Sequence, residues 1–246
     1  MCLILVAWQT HPEFPLVVAA NRDEFYARPS APAGPWPEDP RVQGGRDLEA
    51  GGTWLGLRAD GRMAAVTNVR EPGAPKGRLS RGMLTRDFLL GRQSPAEAAA
   101  TLDGAAYSGF NLLLADDRSL WYGSNRDGAA RELPPGVYGV SNHLLDTPWP
   151  KLVTAKARFT EALAGLPGFG PLFDLLADPE IVPDHNLPHS AVTLEWERML
   201  SAIFVKSETY GTRASTVLTW RPGHGSALEE RRFGPGGVPL GARFPA

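Results

Sequence analysis

Short apolar runs separated by polar turn residues set the rhythm of this chain. Met1–Trp8 and Pro15–Ala20 are two such runs, and Gln9-Thr10-His11-Pro12-Glu13 between them predicts a β-hairpin. The polar run Asn21-Arg22-Asp23-Glu24 then interrupts where the second strand should end. Residues 27–45, rich in proline and glycine, read as a long loop, a length that usually signals function or disorder. Thr53–Leu57 and Met63–Thr67 predict two further strands joined at Asp60-Gly61. The period then changes. Leu79, Met83, Leu84 and Phe88 share one face of a helix over Leu79–Leu90. Ser94-Pro95-Ala96-Glu97 is a capping box with proline at the first helical position, opening a helix that Gly104 can close.

Strands return at Phe110–Ala115 and Ser119–Tyr122, around Asp116-Asp117, and again at Gly136–Val140. Thr147-Pro148 opens a long helix reaching about Gly165, and Pro171–Leu176 and Thr193–Leu200 are shorter helical segments. Ala202–Lys206 and Ala214–Trp220 read as a hairpin around Tyr210-Gly211-Thr212-Arg213, with a last strand near Glu230–Phe233. Strands in hairpin groups, with helices clustered between them, predict an α+β fold with antiparallel sheets and not a Rossmann alternation. No internal repeat or clean linker divides the 246 residues, so 1–246 reads as a single domain.

Composition narrows the function classes. Hydrophobic content of 43% and charged content of 21% are those of a globular protein. A net charge of -2 gives no electrostatic footprint for nucleic acid and no polybasic membrane patch. The apolar run Leu3 to Ala7 is too short for a signal peptide and lacks its basic flank. No stretch approaches the ~20 apolar residues of a transmembrane helix, so the expected location is cytoplasmic and the expected partner a small molecule. One cysteine excludes an internal disulfide framework and a multi-cysteine zinc site. His11, His143, His185, His189 and His224 have no metal-ligand spacing, and no metal is expected.

That cysteine is Cys2, directly after the initiator Met1. A small second residue permits removal of the methionine, which would leave a thiol and an α-amine on one residue. With reference pKa values of about 7.7–8.0 and 8.5, the amine can serve as base for the thiol. A buried, unreactive cysteine in an edge strand would read the same way, so the partners decide. Arg22 and Asp23 follow the strand that should neighbour Cys2. The arginine would favour thiolate and the carboxylate could hold the amine, or the pair is a solvated turn with an internal ion pair. Asn142, after the strand ending at Val140, is a candidate oxyanion donor or a turn asparagine, and His143 beside it a candidate base or a surface histidine. Arg213 could meet a substrate carboxylate or the oxyanion. Gly51-Gly52-Thr53-Trp54 and Thr67-Asn68-Val69-Arg70 put glycine and polar residues at strand ends where a cleft could form, with Trp54 either core or ligand platform.

These residues resemble a known family. Met1-Cys2, Asn21-Arg22-Asp23-Glu24, Gly52-Thr53-Trp54-Leu55-Gly56, Thr67-Asn68, Ser80-Arg81-Gly82, Gly139-Val140-Ser141-Asn142 through Thr147-Pro148-Trp149-Pro150-Lys151, and Tyr210-Gly211-Thr212-Arg213 occur in the order of the NRDE family, also called the transport-and-Golgi-organisation family. The resemblance implies an N-terminal-nucleophile hydrolase-like fold, a four-layer αββα sandwich of two mainly antiparallel sheets. It is similar to the cysteine branch containing bile-salt hydrolases and penicillin V acylase. By that similarity Cys2 matches the nucleophile, Arg22 and Asp23 the charged pair, Asn142 the oxyanion donor and Arg213 the later arginine. The Arg-Asp pair is contiguous here, whereas that branch usually spaces it.

Two functions follow as expectations. One is a cysteine amidohydrolase acting on a small amide or acyl substrate without a cofactor, with Cys2, Arg22, Asp23, Asn142 and Arg213 catalytic and Asn21, Trp54, Asn68 and His143 binding substrate. The alternative comes from the association of eukaryotic members with haem mobilisation and with lipid or acyl-CoA metabolism. It is a non-catalytic haem- or lipid/acyl-CoA-binding and trafficking protein using the same cleft, with Cys2 or His143 as haem ligand.

Overall fold

Alternation along a strand sorts side chains onto two faces, and here both faces of the central strands are apolar. In β1 (Cys2–Trp8) and β2 (Leu16–Phe25), Ile4, Val6, Val18 and Ala20 point one way and Leu3, Leu5, Val17 and Ala19 the other, all buried. A strand buried on both faces needs a layer on each side. The computed structural model, which describes residues 2–188, 190 and 192–243, supplies both layers.

One sheet has six antiparallel strands in the order β10-β1-β2-β11-β12-β13, where β10 is Gly136–Val140, β11 Tyr210–Arg221, β12 Gly225–Phe233 and β13 Pro239–Arg243. The other has seven, β3 to β9 in chain order: Ser30–Pro35, Val42–Asp47, Leu55–Arg58, Met63–Asn68, Phe110–Ala115, Leu120–Ser124 and Arg131–Leu133. The sheets face one another across a core of even-numbered residues from β1 and β2 with Leu55, Leu57, Met63, Ala65 and Leu113. Outside the first sheet, α3 (Pro150–Ala162) and α4 (Gly170–Leu176) cover the odd-numbered residues with Leu152, Ala155, Phe159 and Leu172. Outside the second, α1 (Gly82–Leu90) lays Phe88 and Leu89 over Ala64, Val66 and Leu112, beside α2 (Pro95–Ala100). The layers are therefore αββα, the α+β architecture expected from the sequence. α5 (Leu194–Ser201) is capped by Thr193. The expected capping box opens α2, with Ser94 N–H donating to Glu97 Oε2 at 2.8 Å and Glu97 N–H to Ser94 Oγ at 3.3 Å.

Three expectations change. Asn21-Arg22-Asp23-Glu24 does not end the second strand but lies inside β2, because β11 pairs with it and offers polar partners: Ser215 stands opposite Asn21 and Thr212 opposite Asp23. Residues 27–45 are not a loop. They hold β3 and most of β4, disguised because β3 is an edge strand with a bulge between Ala31 and Gly34, where proline is tolerated. Glycine is required at Gly44, where a Cβ would come within 2.7 Å of the Leu55 carbonyl oxygen. Ala202–Lys206 forms no strand; its apolar side chains plug the core while its backbone bonds elsewhere, Phe204 N–H to Asp178 O and Val205 N–H to Thr212 Oγ1. The hairpin partner of β11 is β12. Met1, included in the first expected strand, lies outside the described residues, as does His189. No helix among the described residues is long and apolar enough to cross a membrane.

Phe159 is fully buried at the i+7 position from Leu152, at the centre of the contact between α3 and the first sheet. Phe159→Ala is expected to cost about 3–5 kcal/mol of stability through lost burial and the cavity left behind, read as a lower urea midpoint.

Candidate functional site

Strand register brings the site together. Antiparallel pairing of β1 and β2 sets Cys2 opposite Arg22, and β10 runs along the other side of β1 with Ile4 opposite Val140. Extending that register by two residues carries Asn142 to the Cys2 end of β1. Asn142 leaves the ladder at φ 59°, a left-handed conformation that asparagine adopts more readily than other non-glycine residues. Its fully buried side chain returns to the strand: Cys2 backbone N–H donates to Asn142 Oδ1 at 3.3 Å, and Asn142 Nδ2 donates to the Asn68 carbonyl at 3.2 Å. Asn68 ends β6 in the opposite sheet, so this amide ties the two sheets together beside the cysteine.

A cleft of about 350 Å³ opens there, lined among others by Cys2, Arg22, Asp23, Trp54, Asn68, Ser80, Arg81 and Gly82. Cys2 and Arg22, being even-numbered, face the space between the sheets. The Arg22 guanidinium lies 4.2 Å from the Trp54 ring centroid, a stacked cation–π contact. Trp54 fits because Gly45 has no side chain; a Cβ there would fall 2.3 Å from the indole. The Gly51-Gly52-Thr53-Trp54 turn docks on the start of α1. Gly52 has φ 76° and sits where a Cβ would be 2.1 Å from the Gly82 carbonyl oxygen, while Thr85 Oγ1 donates to the Thr53 carbonyl at 2.5 Å.

Asp23, odd-numbered, turns its carboxylate to the helical side, where Thr212 Oγ1 donates to Oδ1 at 2.7 Å. Lys151, near the start of α3, is buried on that side too, with Nζ donating to the Leu200 carbonyl at 2.7 Å. Burial pushes the Asp23 carboxyl above its ordinary range, opposed in part by the charges of Lys151 and Arg22. Burial drives Lys151 down to about 8, with the Asp23 charge pulling it back up. Tyr210, whose hydroxyl donates to the Asp23 carbonyl at 3.1 Å, is pushed well above 10 by burial and by the Asp23 charge. The Cys2 thiol is also raised by burial; Arg22 and the Asp23 backbone N–H act in the opposite direction by favouring thiolate.

Four expected residues do not line the cleft. Asn142 stands behind Cys2, as described. Asn21 shares the odd-numbered face with Asp23 and is consumed structurally, its Nδ2 donating to the Leu176 and Ile203 carbonyls, both at 2.8 Å, while Ser215 Oγ donates to its Oδ1 at 2.6 Å. His143 is exposed, with Nδ1 on Thr147 Oγ1 at 2.8 Å and its ring against Trp149, so it does not share the cleft with Cys2. Arg213 is the extra residue of a bulge between Thr212 and Ala214. A bulge re-aims its side chain, and here the guanidinium donates to the Phe25 and Arg28 carbonyls, clamping the end of β2. Conversely, Arg81 and Lys151 were given no chemical role by the sequence. Both sat inside quoted motifs, Ser80-Arg81-Gly82 and Thr147–Lys151, and that was the available signal.

Comparison with known proteins bears on the same chain. The family model described as Transport and Golgi organisation 2 matches residues 1–235. The Transport and Golgi organization protein 2 homolog of Bos taurus is 35% identical, covering 95% of this chain and 94% of its own length. The Homo sapiens homolog is 35% identical, covering 89% and 88%. Among solved structures, the Caenorhabditis elegans ortholog of N-acylethanolamine-hydrolyzing acid amidase superposes with a TM-score of 0.51 at 16% identity, covering 88% of this chain and 92% of that one. This last likeness is one of fold, of the N-terminal-nucleophile hydrolase type.

Folded Lys151 loses its proton near pH 8, and an unfolded lysine near 10.4. Between those values the unfolded chain binds more protons, so this group's penalty on stability is full below about pH 8 and relieved as pH rises towards 10.4. Relative to Lys151→Met, the native protein should therefore gain stability across that window, on the order of 3 kcal/mol. Paired urea titrations at pH 7.5 and 10 would measure it; a difference independent of pH would refute the charged, buried lysine.

Proposed function

The chain belongs to the Transport and Golgi organisation 2 family, and from that premise we propose that it is a cysteine amidohydrolase of the N-terminal-nucleophile type, acting on a small amide or related acyl substrate. The observation that carries the reading is the placement of both ends of Cys2: its side chain faces the cleft beside Arg22, and its backbone nitrogen is held on Asn142 Oδ1.

Removal of Met1 would turn that nitrogen into an α-amine already positioned by Asn142. The amine takes the thiol proton as Cys2 Sγ bonds to the substrate carbonyl carbon. The carbon–nitrogen bond then breaks, and the proton passes to the leaving amine. Water next adds to the thioester, the carbon–sulfur bond breaks, and the acid is released as the thiol regains a proton. The developing oxyanion needs a donor aimed into the cleft. One of the two N–H groups of the Asn142 amide is engaged by the Asn68 carbonyl, and Asn68 is itself among the residues that line the cleft, so on our reading the oxyanion role falls to Asn68 and Asn142 orients the amine. Arg22 favours the thiolate. Asp23 and Lys151 fix the field behind it.

Intact-mass spectrometry of the native protein is expected to give a chain lacking Met1. In a screen of small amides, turnover should vanish in Cys2→Ala and fall about 10²–10³-fold in Asn68→Ala. Retained Met1, or turnover indifferent to Cys2→Ala, would sink the reading.

A further inference from the structure

The charges around the cleft are not balanced. Glu24 and Asp47, two of its lining carboxylates, are both taken by Arg28, which pairs with Asp47 at 2.8 Å, with Glu49 at 3.0 Å and more loosely with Glu24 at 3.9 Å. Asp23 faces the helical side, and Arg22 lies on Trp54. What remains is one wall formed by the segment that enters α1, carrying Lys76, Arg78 and Arg81. None of the three has a carboxylate within ion-pair distance among the described residues. Arg81 is the least exposed of the three: Nη1 is anchored on the Gly109 carbonyl at 3.0 Å, and the Cys2 charge acts on its guanidinium. Lys76 and Arg78 are exposed. The chain as a whole is slightly acidic, at -2, so three unmatched cations on one wall are a local arrangement and not the overflow of a basic protein.

We propose that the cleft selects a small substrate bearing an anionic group, a carboxylate or a phosphate, which Lys76, Arg78 and Arg81 hold while its carbonyl lies at Cys2. The proposal rests on the cleft being where Cys2 meets its substrate. The cavity, about 350 Å³, is at the small end of ligand sites, so a compact anionic amide fits better than a large one. Unmatched cations in a confined cleft raise the local concentration of anions and speed their arrival. Asn68, which lines the same cleft, then meets the carbonyl and not the anion.

Alkylation of Cys2 tests this without requiring turnover. Anionic iodoacetate and neutral iodoacetamide are compared on the native protein and on Lys76→Glu/Arg78→Glu, whose changes lie on exposed side chains. Reversing two charges on the wall of the cleft should lower the iodoacetate rate relative to that of iodoacetamide by about tenfold at low salt, and less at high salt. An unchanged ratio overturns the proposal. In a second arm, N-acetylglycine, inorganic phosphate and neutral N-acetylglycinamide are offered as protectants against iodoacetamide. Protection by either anion but not by the neutral amide supports the proposal, and the better anion identifies the group; equal protection by all three overturns it. A charge-dependent alkylation rate in a protein that hydrolyses no amide would leave the anion preference standing and remove only the hydrolase.

Discussion

Everything at the site depends on the pairing of β1 with β2. That ladder has a period of two, so a slip of β1 by one residue would send Cys2 to the helical side, and a slip of β2 would send Arg22 there and bring Asp23 between the sheets. The slip is prevented by the apolar residues further along the same strands, since Ile4, Val6, Val18 and Ala20 would have to exchange places with Leu3, Leu5, Val17 and Ala19 between two cores of different shape. The precision of the thiol's position is thus inherited from ordinary aliphatic packing several residues away.

The second constraint is electrostatic. Asp23 and Lys151 are removed from water and Cys2 is partly so, and burial is the largest influence on each of them. Such groups are tolerable only in company, because deleting one partner of a buried pair strands the other, at a cost of about 3–5 kcal/mol. Thr212, Tyr210 and the Leu200 carbonyl complete the company from β11 and the end of α5. The cluster therefore couples the thiol's surroundings to the docking of the helical layer, and the two are not independently variable.

Much of this was legible in the chain. The hairpin at the start, the strands around Asp60-Gly61, the capping box and the long helix after Thr147-Pro148 all follow from local periodicity and turn chemistry. Cys2, Arg22 and Asn142 come together because register, once the strands are known, is simple arithmetic. What could not be read was set by distant partners. The strand character of Asn21–Glu24 comes from β11, nearly two hundred residues on, and the bulge that turns Arg213 away from the cleft is invisible without that pairing. The edge strand β3 and its neighbour β4 were hidden, the latter by glycines whose reason is the nearness of Leu55 and Trp54. Asn21 looked like a site residue because polarity marks both ligand contact and the satisfaction of buried carbonyls, and only geometry separates the two.

The position of Cys2 at the very start of a paired strand has a practical side. β1 begins with a residue that lines the cleft, so any tag, linker or leader residue fused ahead of it is attached at the edge of the space a ligand would use. Such a fusion would act as a tethered plug, and an assay on tagged material would report the plug. The other end of the ladder is forgiving, because β13 is an outermost strand with every residue exposed. Handles for purification or immobilisation belong there.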